Sequence, residues 1–129
     1  MNYILWIAID KDIQTKIGSL GRVNFKKGIY LYMGSAKKNF KARIKRHLVK
    51  KKKLFWHIDY LLSSNFAKIK HIWATNKDKE CRIAQFLYKK GYSFINKFGS
   101  SDCKCPSHMF FIKDTTGINQ LLNKIGKEL

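Results

Sequence analysis

Acidic residues are scarce in this chain. Eight Asp and Glu stand against 27 Lys and Arg, which gives a formal net charge of +19. A surplus of that size opposes compaction by self-repulsion, so its natural counterpart is a polyanion. Proline is nearly absent, with one residue, and eight glycines leave little room for linkers. A hydrophobic content of 45% with 14% aromatics excludes a disordered chain. No apolar run approaches the roughly 18 residues that a membrane span needs. The start, MNYILWIAID, has neither the basic opening nor the small-residue cleavage site of a secretory signal, and it is expected to persist as a strand. Cysteine is also sparse. Cys81, Cys103 and Cys105 are odd in number, and the last two lie too close together for an easy bridge, so reduced thiols in a cytoplasm are expected. At 129 residues the chain suffices for one domain with a real core, spanning 1–129.

The positive charge is concentrated. Between Lys37 and Lys53 there are ten Lys and Arg and no acidic residue. A general lysine bias explains scattered lysines better than this block. Nucleic acid is favoured over an anionic membrane, because no strongly apolar helix face accompanies the charge.

Hydrophobic spacing gives an α+β reading. Tyr3 to Ile9 suits a buried strand, and Ile13, Thr15 and Ile17 alternate, as do Val23 and Phe25, around Gly18 and Gly21. Ile29 to Met33 follows as a strand with Tyr30 and Tyr32 on one face and Ile29, Leu31 and Met33 on the other. Gly34-Ser35-Ala36 ends it. Asn39 is placed to cap a helix from Phe40 to about Lys50 with a buried stripe of Phe40, Ile44 and Leu48. Arg43 and His47, four apart, share a flank of that stripe, with Arg46 and Lys50 further round. A helix over 56–62, a strand over 68–74, a helix over 78–90 ended by Gly91, a strand over 109–112 and a closing amphipathic helix on Ile118, Leu121, Leu122 and Ile125 complete the chain.

Several residues carry potential chemistry. Glu80 falls in the apolar face of its helix with Ile83, Ala84 and Leu87, where a carboxylate must be paired or metal-bound, unless it only complements the helix dipole at the rim. Arg43 with His47 offers a guanidinium fork beside a titratable imidazole, a pairing suited to holding a phosphate and moving a proton. Each of these residues taken alone reads as solvated or structural. Cys103, Cys105 and His108 form a fragment of a zinc pattern, with Cys81 or His57 as a fourth ligand, although zinc motifs usually space their paired cysteines more widely; lining a turn is the other role open to them. Asp102 could bind a divalent ion or cap a turn. No phosphate-cradling glycine loop and no nucleophile elbow is present.

Tyr32-Met33-Gly34-Ser35-Ala36, followed by Phe40-x-x-Arg43-x-x-Arg46-His47, resembles the second half of the GIY-YIG nuclease signature. Glu80, in ECRIA, matches in position and context the metal-binding glutamate of that superfamily. WHIDYLL, the Glu-Cys pair and FGSSDCKCPSH resemble one compact stand-alone prokaryotic branch, over Tyr3 to about Phe111. The literal text Gly28-Ile29-Tyr30 is not the GIY element, since one residue separates Tyr30 from Tyr32 and both belong to one strand. The branch carries Gly-x-Tyr at its N-terminus followed by an insertion, which places the first tyrosine at Tyr3, with Met1 in the glycine position and Tyr30 as fallback. The distal asparagine has no clear counterpart; Asn96 and Asp102 are nearest.

The resemblance implies a small mixed or antiparallel sheet flanked by helices, with an N-terminal β-hairpin insertion. It implies a phosphodiester hydrolase using one divalent cation, Mg²⁺ or Mn²⁺, held by Glu80. Arg43 would clamp the scissile phosphate. Tyr32 or Tyr3 would orient or deprotonate the attacking water, with His47 as proton acceptor, because a phenol of pKa about 10 is a poor base unaided. Gly34, Ser35, Lys37, Lys38, Lys41, Arg46, Lys50, Lys51 and Lys52 would contact nucleic acid, DNA in preference to RNA. Without a second domain for targeting, either cutting is structure-selective, as in repair or recombination, or a separate protein partner supplies specificity. Two alternatives stand beside this: a non-catalytic nucleic-acid-binding module, and a zinc-stabilised structural protein.

Overall fold

The first strand is buried on both faces, which explains its unbroken apolar text. A computed structural model describes residues 1–76, 80–101 and 103–129, with Glu80 described in its backbone only. Strand β1 (Asn2–Ile9) pairs antiparallel with β4 (Gly28–Ser35) on one side and with β5 (Ala67–Thr75) on the other. Strand β6 (Met109–Ile112) joins the free edge of β4, and the short β7 (Lys127–Glu128) joins β5. The order is therefore β6-β4-β1-β5-β7, with the first strand in the middle. Between β1 and β4, strands β2 (Ile13–Lys16) and β3 (Arg22–Phe25) form the separate hairpin expected from the alternation. The fold is α+β: a five-stranded antiparallel sheet and a two-stranded sheet flanked by four helices.

Alternation sends residues to two cores. Tyr3, Leu5, Ile7 and Ile9 of β1 and Tyr30 and Tyr32 of β4 face helices α1 (Phe40–Leu48) and α2 (His57–Leu62), together with Ile17 and Phe25 of the hairpin. Ile4, Trp6, Leu31 and Met33 face the opposite way, toward α3 (Glu80–Lys89) and α4 (Ile118–Ile125). The apolar stripes on Ile83, Ala84 and Leu87 and on Ile118 and Leu122 are buried as their spacing predicts. No helix among the described residues is long and apolar enough to cross a membrane.

Helix α1 departs from the expected pattern. It stops at Leu48, and the stripe runs through Ile44 and His47, which is 3% exposed, while Leu48 is 56% exposed. Asn39 precedes the helix in the left-handed region (φ 53°) and makes no side-chain cap bond. The helix end is secured instead by Lys52, whose Nζ donates to the carbonyls of Arg46 and His47. Asp78, the expected start of α3, lies outside the described residues.

Candidate functional site

The site forms at one end of the central strand pair. In the β1–β4 register Tyr3 lies opposite Gly34, and a Cβ at position 34 would overlap the Cζ and Oη of the Tyr3 ring. Glycine at this position therefore makes room for the tyrosine that crosses the strand pair. Tyr32, two residues earlier on the same strand, emerges on the same face. Its ring meets Phe98 edge-on at 6.1 Å between centroids and lies 3.0 Å (Cε1) from where a Cβ on Gly99 would sit. Gly99 has φ 69°, a conformation that further favours glycine.

Helix α1 supplies the next groups. The Tyr3 hydroxyl lies 2.6 Å from His47 Nε2. Burial is the main cause that lowers the His47 pKa, to about 4, with help from the charges of Lys52, Arg43 and Arg46 and against the pull of Asp59. The imidazole is therefore neutral at pH 7. Its Nδ1 is buried with no hydrogen-bond partner among the described residues. Arg43 donates from Nη1 to the Ser35 carbonyl at 2.9 Å and stacks over Trp56, 4.1 Å from the ring centroid. Tyr3, Tyr32, Gly34, Ser35, Arg43 and His47 line one cleft of about 210 Å³, closed by Trp56, Gly99, Cys103 and His108. The cleft thus gathers four of the five expected catalytic residues.

Glu80 is the fifth, and its side chain lies outside the described residues, as does Asp102. The backbone of Glu80 opens α3 next to Cys81, whose Sγ is 3.7 Å from Nε2 of the cleft residue His108. Tyr30, the fallback tyrosine, is placed elsewhere. Its hydroxyl donates to the Lys26 carbonyl, its ring packs on Phe25 and Phe111, and burial raises its pKa to about 12. Asn96 is exposed and does not line the cleft.

The expected nucleic-acid contacts divide into two groups. Lys37, Lys38, Lys41 and Lys51 are exposed. Arg46, Lys50 and Lys52 have intramolecular partners. Arg46 grips Asp59, which is 0% exposed, through Nη1–Oδ1 at 2.6 Å and Nη2–Oδ2 at 2.9 Å. Asp59 also accepts the N–H groups of Phe55 and Trp56. Burial alone would raise its carboxyl, but these donors outweigh it and hold the pKa below the usual carboxylate value. Lys50 Nζ donates to the carbonyls of Leu62, Ser64 and Ala67, the group just beyond α2. Three of the seven expected basic contacts thus serve as framework.

Trp56, Gly99, Cys103 and His108 were not legible as cleft residues. Trp56 reads as a helix start, and its guanidinium-stacking role depends on α1 packing against α2. His57, one of two expected candidates for a fourth metal ligand, instead accepts the Gly99 N–H at Nδ1, 2.9 Å away. Cys81, the other candidate, lies beside the remaining three. The donor atoms of Cys81, Cys103, Cys105 and His108 all lie within 4.8 Å of one another. Burial first, then the neighbouring Cys81 and Cys103 thiols, push the Cys105 thiol pKa up. No curated protein and no solved structure matches the chain significantly. The family model described as a domain of unknown function, DUF123, matches residues 2–129, and the chain therefore belongs to that family.

Proposed function

We propose that the chain is a divalent-metal-dependent endonuclease of the GIY-YIG type, hydrolysing phosphodiester bonds in the DNA of a cytoplasm, with structure-selective cutting in repair or recombination. The observation that carries this reading is the convergence of Tyr3, Tyr32, Arg43 and His47 on one small cleft beside a run of exposed lysines. The guanidinium of Arg43 spends one donor on Ser35 and retains further donors for a phosphate. As the phosphate gains charge in the transition state, a guanidinium held in place by Trp56 stabilises it without reorganising. Tyr32 or Tyr3 orients the attacking water. Its proton is relayed through the Tyr3 hydroxyl toward Nε2 of His47, 2.6 Å away, which burial keeps neutral but which, at a pKa of about 4, is a weak acceptor at pH 7.

A hard cation prefers oxygen donors, so the sulfur-rich group of Cys81, Cys103 and Cys105 does not suit magnesium or manganese. By the resemblance, Glu80, whose backbone opens α3 beside Cys81, would be the oxygen donor. A cation held there would supply Lewis-acid stabilisation of the leaving 3′ oxygen. Flaps, forks, nicks and single strands of DNA, with matched RNA, incubated with Mg²⁺, Mn²⁺ or EDTA, test the reading. Metal-dependent cutting of DNA is expected. Arg43→Ala lowers kcat by about 10²- to 10³-fold, and Glu80→Ala abolishes cleavage while binding persists. Wild-type protein that binds and never cuts would instead be the non-catalytic module, and preference for the RNA substrates would reassign the target.

A further inference from the structure

Three thiols and an imidazole converge from three places in the chain. Cys81 comes from the first turn of α3, Cys103 and Cys105 from the loop before β6, and His108 from the residue that leads into that strand. The loop is rigidly framed. His108 N–H donates to Phe98 O, Met33 N–H to His108 O, and Lys97 N–H to Pro106 O. Cys105 and His108 are buried, and all three thiols are reduced.

We propose that Cys81, Cys103, Cys105 and His108 bind one zinc ion as a closed tetrahedral site. The distances fit. Zinc takes thiolate at about 2.3 Å and imidazole at about 2.0–2.1 Å, so neighbouring S and N donors of a tetrahedron stand about 3.6 Å apart. Nε2 of His108 lies 3.4 Å from Cys103 Sγ and 3.7 Å from Cys81 Sγ. The grouping of all four donors within 4.8 Å fits a single ion better than a two-iron cluster, which spreads its ligands over two metals. Three thiolates and one imidazole form a donor set that selects zinc over magnesium or calcium, and four protein ligands leave no open position for substrate. Binding releases the three thiol protons and leaves one net negative charge, which the exposed Arg82 and Lys104, each next in sequence to a ligand, offset.

The site explains a feature of the fold that packing alone does not. The cysteines at 103 and 105, too close in sequence to act as a paired zinc knuckle, are completed by a cysteine from the first turn of α3. The ion would fasten the start of α3 to the loop that walls the cleft through Cys103 and His108.

Full-length protein purified without chelator provides the test, through elemental analysis, a thiol count and the absorption spectrum of a cobalt-exchanged sample. One zinc per chain, thiols protected from Ellman's reagent until a chelator is added, and the spectrum of tetrahedral sulfur-ligated cobalt are expected. Cys103→Ser should lose the metal on gel filtration. Protein that carries no zinc after growth in zinc-supplemented medium, with three freely reactive thiols, overturns the proposal, as does stoichiometric iron in its place. Because the readout on wild-type protein is metal content, the result does not depend on whether a variant folds. The assignment stands apart from the nuclease reading: a chain that holds zinc and cuts nothing keeps this site and loses that function, and a chain that cuts without zinc does the reverse.

Discussion

Gly34 and Tyr3 form a matched pair, because the ring occupies the space that a Cβ on the opposite strand would take. Gly34→Ala should drive the ring away from His47 and cost about 1–3 kcal/mol, as overpacking typically does. Urea unfolding measures that loss, and a variant as stable as wild type would refute the close approach. The partner of Tyr3 gives a pH signature. His47 has a native pKa of about 4 against 6.5 for the free side chain. As pH falls through 6.5 the unfolded chain takes up a proton that the native chain refuses until about pH 4. Stability therefore falls by about 3 kcal/mol across that window. Asp59 acts in the same direction, at lower pH. Its depressed pKa contributes stability above the ordinary carboxyl value of 3.8 that is lost only as pH falls through the native value, below the histidine window. Unfolding at several pH values should show the slope between 6.5 and 4, reduced in His47→Gln; the residue left over belongs to His57 and His108, whose pKa values burial also lowers. Tyr3 and the place of Gly34 beside it came only from the resemblance, while the Arg43–His47 pair was legible from helical spacing. Burial of His47 in place of Leu48 was not, because a 3.6-residue period ranks Leu above His for the core, and only the fixed position of Tyr3 makes the imidazole the better fit.

At the scale of elements, helix α1 divides its cations between framework and surface. The Arg46–Asp59 pair ties α1 to α2 and fixes the turn that presents Trp56 to Arg43. Removing one partner of a buried pair leaves an uncompensated charge, so Arg46→Ala should cost about 3–5 kcal/mol. Thermal or urea unfolding checks this, and a near-neutral result would return Arg46 to the set of surface cations. Lys51→Gln should leave stability unchanged and, under the nucleic-acid reading, lower the salt dependence of binding by about one unit in the log–log slope. Charge counting in the sequence cannot separate the two groups. Arg46, Lys50 and Lys51 look alike there, and the distinction is made by the acceptors they meet: a carboxylate 13 positions away and three carbonyls beyond the next helix. The strands and helices themselves were legible almost residue by residue, because alternation and helical periodicity are strong in this chain. The short β7 was missed, since two charged residues at an edge carry no hydrophobic period.

For the whole molecule, the +19 charge makes ionic strength the main experimental variable. Nucleic-acid affinity should fall with a slope of roughly −0.9 for every phosphate neutralised, and a salt titration that leaves affinity flat would remove the polyanion as partner. The sheet order has a further consequence, for synthesis. The middle strand leaves the ribosome before its neighbours, which arrive from residues 28–35 and 67–75, and the cleft wall at His108 follows all three. Pairing must wait on distant segments, which slows assembly and leaves an apolar ribbon exposed in the meantime. A polypeptide made only through the second strand pair is thus a sticky, strongly cationic thread with no cleft, and any cell that makes it must shelter that thread until the segment around His108 emerges.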